Sequence, residues 1–281
     1  MTSWLDPVDL RGWIGAEEIV EDVITDTLIS RFCATMPGAG DAAGRGMPAP
    51  RLIHFCLCQS AAPMEALGTD GHPARGGFLP PVPLPRRMWA ASRVAFHGDL
   101  FRGDTVRRRS RIADVVMKEG RTGTLCFVTV EHVITVDEEV MVEDQQTIVY
   151  REQSSAPAPA GASAPRGESI VAIEPTPTLL FRYSALTFNG HRIHYDAPYA
   201  RDIEGYSGLV VQGPLQATLL LQRAAAIMGR EPDLFTFRSL STLHAGDGLL
   251  LHAGVPDGGS LQLWTAKADG PVAMQAEACW R

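Results

Sequence analysis

The chain is poor in everything that would tie it to a membrane, a nucleic acid or an oxidising compartment. No run approaches the ~20 consecutive apolar residues that a bilayer-spanning helix needs. The opening MTSWLDPVDL carries acids and no basic stretch ahead of an apolar core. Both features predict a soluble, cytoplasmic protein with no membrane partner. Only 20% of residues are charged and the formal net charge is −7, so the basic face that phosphate backbones require is missing and no nucleic-acid partner is expected. The one basic run, Arg107 to Arg109 with Arg111, reads as a solvated strand face. Five cysteines, Cys33, Cys56, Cys58, Cys126 and Cys279, are odd in number and sit mostly among apolar neighbours, which favours reduced core thiols over a disulfide framework. Cys56 and Cys58 are one residue too close for a zinc knuckle and no second pair follows, so no metal site is expected.

What the chain does have is enough apolar material, 45% of 281 residues, for one large core or two of ordinary size. Residues 153 to 168, QSSAPAPAGASAPRGE, are nearly all Ala, Pro, Ser and Gly and cannot bury an apolar face. They predict an extended linker between an N-terminal domain, 1–152, and a C-terminal domain, 169–281. Upstream, strand-like alternation over Val106 to Val116, Gly123 to Val136 and Val140 to Tyr150 predicts an antiparallel meander, with turns at Lys118 to Arg121 and Asp137 to Glu139. Downstream, Leu234 to Leu243, Gly248 to Val255, Leu261 to Ala268 and Val272 to Trp280 repeat that rhythm between glycine-containing turns.

The clearest helix opens at Gly213-Pro214 and closes at Gly229, with proline in the first turn and glycine at the end as punctuation. It is apolar almost all round, so most of its sides must be buried. A buried helix followed by a four-stranded meander predicts an α+β fold, a sheet wrapped around one central helix. The two halves look alike: Phe96 to Asp104 and Phe237 to Asp247 each read as strand, Gly-Asp turn, strand. Leu52 to Leu67 is the expected counterpart of the buried helix in the first half, shortened by Pro63.

The stretch from Tyr183 to Ala200 concentrates two histidines, an amide, a hydroxyl and an acid just upstream of that helix. On spacing alone, a catalytic cluster competes with a loop whose histidines are merely hydrogen-bonded and whose Asp196 caps a helix. The stretch resembles the signature of the MaoC-like, R-specific enoyl-CoA hydratases, a strand end of the form S-x-D-x-N-P-x-H. Thr187 stands at the serine, Asn189 at the aspartate, His191 at the asparagine, Arg192 at the proline and His194 at the histidine. The T-F-N-x-H-R-I-H-Y-D variant resembles the two-domain branch that holds type 2 hydroxyacyl-thioester dehydratases and mesaconyl-C4-CoA or itaconyl-CoA hydratases. Val210 to Leu215 resembles that superfamily's I-V-H-G-x-L, with Gly213 at the oxyanion-donating glycine. Arg86 to Ala90 and Lys118 to Gly123 resemble the N-terminal domain of the same branch.

The resemblance implies a double hot-dog fold and reversible hydration of an enoyl-CoA thioester, with mesaconyl-C4-CoA or itaconyl-CoA giving citramalyl-CoA as the candidate reaction. It further implies His194 as the base, Asn189 holding the water or the C3 hydroxyl, and Gly213 as oxyanion donor. His191, Arg192, Tyr183 and Tyr195 are the substrate-binding candidates, Arg192 for a substrate carboxylate. The basic run at Arg107 has a second reading, a contact with the phosphates of coenzyme A. No His-bearing motif precedes the linker, so the first domain is expected to be non-catalytic while contributing to the pocket. His54, His72, His97, His132, His244 and His252 show no interpretable partner pattern. No cofactor is implied beyond the thioester substrate, and a homodimer of the fused pair is left open. Two other readings remain: a 3-hydroxyacyl-thioester dehydratase of fatty-acid metabolism, and a non-catalytic acyl-CoA binding module suggested by Asn189 in the acid's place.

Overall fold

Alternating apolar and polar residues over several long runs commit those stretches to strands buried on one face. The computed structural model describes residues 9–37, 46–120, 123–152 and 161–281. The elements are β1 (Glu17–Val23), α1 (Asp26–Thr35), β2 (Arg86–Phe96), β3 (Thr105–Gly120), β4 (Gly123–Val136), β5 (Glu139–Arg151), β6 (Ser169–Ile173), α2 (Pro177–Leu186), α3 (Gly213–Met228), β7 (Leu234–Ser239), β8 (Leu249–Ala253), β9 (Ser260–Ala266) and β10 (Val272–Cys279).

All ten strands form one antiparallel sheet in the order β1-β3-β4-β5-β2-β7-β10-β9-β8-β6. Read outward from the centre, the five strands of each half follow the same path, so the duplication suggested by the sequence is written in the topology. The halves join where β2 pairs with β7, from Ala91 opposite Arg238 to Ala95 opposite Leu234. A helix follows the first strand of each half, and the same device starts both. Thr25 Oγ1 accepts from Leu28 N at 3.1 Å, and Thr176 Oγ1 accepts from Leu179 N at 3.2 Å. The predicted arginine run lies on β3 facing acids: Arg107 near Glu21, Arg109 and Arg111 near Glu17, at 3.4–3.9 Å and well exposed. Such exposed pairs contribute little stability each.

The helix expected from Gly213 to Gly229 is α3. It buries Leu215, Leu219, Leu220 and Leu221 against the strands and stops at Gly229, whose φ of 71° suits a residue without Cβ. Its expected counterpart in the first half is not an α-helix. Leu52 to Leu67 yields only a 3-10 turn at Ile53–Cys56 and another at Met64–Ala66. Leu52 and Cys58 adopt φ of 64° and 54°, and Arg108 on the distant β3 takes the carbonyls of Leu57 and Cys58 that a continuing helix would use. All five cysteines are free. The first part of the predicted linker, residues 153–160, lies outside the described residues. The remainder runs without regular structure beside the β9–β10 turn, where Ala164 N donates to Gly270 O and Trp264 Nε1 to Pro165 O.

Because α3 fills the centre of the second half, Leu220→Ala is expected to destabilise the protein by roughly 2–5 kcal/mol, read as a lower urea midpoint with an unchanged denaturant slope.

Candidate active site

The signature segment begins on a helix rather than at a strand end, which corrects the expectation taken from the resemblance. Tyr183 and Ser184 lie in the last turns of α2, and Thr187 Oγ1 returns to Tyr183 O at 2.8 Å to close it. Phe188 then takes φ 48° and turns the chain sharply. This delivers Asn189 to His194 to one wall of a cleft of about 2400 Å³ lined by both halves. Asn189 folds into an Asx turn, its Oδ1 accepting from His191 N at 3.0 Å. With the oxygen engaged, the Nδ2 donors are what Asn189 can offer a ligand.

His194 is buried, and its Nδ1 lies 2.7 Å from Val210 O. A carbonyl only accepts, so Nδ1 carries the proton and Nε2 carries the lone pair. Burial, partly offset by that hydrogen bond, brings the His194 pKa down to about 4. Gly213, also on the cleft wall, opens α3. Among the described residues its N–H has no hydrogen-bond acceptor, and it stands at a helix N-terminus, where free amides and the helix dipole favour negative charge. The neighbouring Gln212 donates through Nε2 to Leu180 O and Ser184 Oγ, while its buried Oε1 has no hydrogen-bond partner among the described residues.

The four predicted substrate-binding side chains are placed less simply. Tyr183 is almost fully buried with its hydroxyl 3.4 Å from Thr218 Oγ1, and half-exposed Tyr195 donates to Gly190 O at 2.9 Å. Each hydroxyl is thus engaged within the protein. Arg192 grips Asp196 through Nε and Nη2 at 3.0 and 2.8 Å, donates to Thr69 O at 3.1 Å and stacks over Tyr199. It is a clamp between segments, with its guanidinium already committed. Asp196 also accepts from Tyr199 N at 3.1 Å, the capping role expected of it. His191 does face the cleft, its ring packed 4.2 Å from His72 and 5.4 Å, edge-on, from His194. Burial and the two neighbouring imidazoles push its pKa down to about 2.

His72 was missed by sequence reasoning, together with its partner Asp70, whose Oδ2 lies 3.0 Å from His72 Nδ1. The Asp-x-His spacing was the available signal. What brings this pair from the first half to the signature is a contact between backbones. Gly71 has φ +85°, and a Cβ there would fall 2.0 Å from Gly190 O; a Cβ on Gly190 would fall 2.6 Å from Gly71 O. Arg192 N donates to Asp70 O at 2.9 Å alongside. The remaining histidines also acquire partners: His97 with Glu143, His132 with Ser110, His54 with Asp144, His244 with Asp247, and His252 stacked on Trp264. Asp70, His72 and His191 place donor atoms within 4.8 Å of one another and are the group among the described residues that could hold a metal ion. Of the cleft-lining cations, Arg86 pairs with Glu204, Arg192 with Asp196 and Lys267 with Asp247. Arg87 and Arg151, which also line the cleft, have no carboxylate partner among the described residues.

A single antiparallel sheet of two like halves, with a cleft lined by both, defines a double hot-dog protein. Solved structures agree on this fold. HtdX from Mycobacterium tuberculosis superposes with TM-score 0.68 at 17% identity over 95% of this chain and all of that one. A MaoC-like dehydratase from Phytophthora capsici gives 0.70 at 13% identity over 95% and 96%. The chain belongs to the hydroxyacyl-thioester dehydratase type 2 family, which it matches over residues 52–245. It is 42% identical to mesaconyl-C(4)-CoA hydratase of Chloroflexus aurantiacus over 97% of this chain and 98% of that protein. It is 26% identical to the mitochondrial hydroxyacyl-thioester dehydratase type 2 of Schizosaccharomyces pombe over 81% and 87%. Among the described residues no helix is long and apolar enough to cross a membrane.

Gly71→Ala adds a Cβ where φ is positive and Gly190 O lies too close. It is expected to cost at least ~1 kcal/mol of stability and to lower enoyl-thioester turnover tenfold or more, measured by thermal unfolding and by loss of the conjugated thioester's absorbance.

Proposed function

We propose that this protein reversibly adds water to the double bond of an enoyl-CoA thioester, as a cytoplasmic enzyme that works without a cofactor beyond its thioester substrate. The observation that carries the reading is that the lone-pair nitrogen of His194 and the free helix-tip amide of Gly213 belong to one cleft. Water is held by Asn189 Nδ2 and polarised by His194 Nε2, and its oxygen bonds to C3. The C2=C3 electrons move onto the thioester oxygen, where Gly213 N–H stabilises the enolate, a contribution on the order of 3–4 kcal/mol. The proton lost by water is then delivered to C2, and the thioester carbonyl re-forms.

The C4 monothioester of a branched C5 dicarboxylic acid, mesaconyl or itaconyl, is the preferred substrate. The relative at 42% identity supports this choice, and Arg87, a cleft cation with no carboxylate partner among the described residues, supports it independently. A fatty-chain 3-hydroxyacyl thioester would leave that guanidinium without a counter-charge. Arg192, already clamped, no longer serves as the carboxylate anchor.

A panel of enoyl-CoA thioesters with and without a distal carboxylate tests the reading. Wild type is expected to turn over the carboxylated ones best, and Arg87→Leu to raise KM for those by tenfold or more while leaving crotonyl-CoA nearly unaffected. His194→Ala and Gly213→Pro should each lower kcat by about 10²–10³-fold or more. A protein that binds these thioesters and never converts them would instead be a binding module. Because the working imidazoles are neutral and burial lowers their pKa values, the working form survives as pH falls through 6.5. For His194 it is lost only towards pH 4. The acid limb of kcat/KM should therefore lie well below 6.5.

A further inference from the structure

Hydration leaves a proton in transit between its removal from water and its arrival at C2, and some group has to hold it. That group needs a free basic nitrogen at rest and a counter-charge once protonated. Asn189 has no exchangeable acid to offer. His194 has the nitrogen, but the partner of its Nδ1 is the neutral carbonyl of Val210, in a buried position. An imidazolium there would be poorly compensated.

His72 meets both needs. Its Nδ1 is engaged by Asp70 Oδ2 at 3.0 Å, which fixes the tautomer and leaves Nε2 as the nitrogen for the cleft that His72 lines. Asp70 is itself held by its own loop, Oδ1 accepting from His72 N at 3.0 Å. The glycine-on-glycine contact of Gly71 with Gly190 and the Arg192 N to Asp70 O bond at 2.9 Å press the loop against the signature segment. His191 packs against both His72 and His194, at ring-centroid distances of 4.2 and 5.4 Å. An imidazole oriented by a carboxylate that stabilises its protonated form is the arrangement by which hydrolytic triads store a proton between steps.

We propose, resting on the hydratase reading above, that His72 is a catalytic residue that carries the proton and that Asp70 is its positioning residue. The carboxylate absent at Asn189 is thus supplied by the other half of the molecule. His194 aligns and polarises the water. As the oxygen bonds to C3, the water's proton passes to His72 Nε2 and the C2=C3 electron pair moves onto the thioester oxygen. The enolate pair then takes the same proton from His72 to form the C2–H bond, which returns His72 to its neutral state. Dehydration runs the sequence backwards: His72 removes the C2 proton and gives it to the departing hydroxide.

The test uses the full-length protein with the carboxylated thioester that wild type turns over best. His72→Gln is expected to lower kcat by on the order of 10²–10⁴-fold with KM changed no more than a few fold. It should also abolish exchange of the C2 hydrogen of the 3-hydroxyacyl thioester with D₂O. The charged and titratable groups acting on His72 are Asp70, which favours its protonation, and Arg87 and Arg75, which oppose it, with His191 packed at a tilt against its ring. Asp70→Asn, nearly isosteric, should therefore move the acid limb of kcat/KM to lower pH as well as slow turnover. A residue that only supported the loop would leave that limb in place. If His72→Gln unfolds, the Asp70→Asn profile decides alone. Turnover of His72→Gln within threefold of wild type, persistent C2 exchange, or an activity that requires an added divalent ion and vanishes with chelator would each overturn the proposal while leaving the hydratase reading intact. Wild type inert towards every thioester would instead sink the reading itself.

Discussion

The active end of the cleft is held together by two glycines whose backbones touch. Gly71 and Gly190 approach so closely that neither position has room for a methyl group, and everything chemically distinctive about the site depends on that proximity. It seats the loop of Asp70 and His72 on the strand of chain that carries Asn189, His191 and His194. It also sets the main-chain bond between Arg192 and Asp70 and the reach of the Arg192 side chain to Thr69. Side chains alone rarely fix two loops this well, since each rotatable bond is a freedom to be lost. Backbone packed on backbone leaves little to reorganise when a ligand arrives.

The electrostatics follow from the same closeness. Three imidazoles crowd together in a poorly solvated wall, and burial keeps each of them neutral: the pKa values of His72, His191 and His194 are all lowered. Asp70 stays ionised, its carboxyl held well below the usual carboxylate range by its hydrogen bonds from His72, despite burial. A cluster of neutral bases beside one anion is suited to accepting a proton briefly and passing it on.

How much of this was legible beforehand divides along physical lines. The meanders, α3 and the duplication could be read because alternation, a Gly-Pro start and a Gly stop are local signals that strands and helices obey. The helix proposed for Leu52 to Leu67 failed because Arg108, distant in sequence, captured the carbonyls it needed. His194 and Gly213 could be placed by resemblance, and the structure sets both on one cleft. Arg192 and Tyr183 looked available for substrate because a sequence does not reveal who already holds a donor. Asp70 and His72, marked only by an Asp-x-His spacing, were passed over for a stricter reason. Their meaning comes from a neighbour more than a hundred residues away, and the residue that makes the meeting feasible, Gly71, is legible only as one more glycine in a loop.

The shared sheet has one further consequence. Strands β2 and β7 hydrogen-bond to each other across the seam, so each half covers an edge that the other would otherwise leave bare. Severing the chain at the linker and separating the pieces would turn two interior strands into open templates for unwanted pairing.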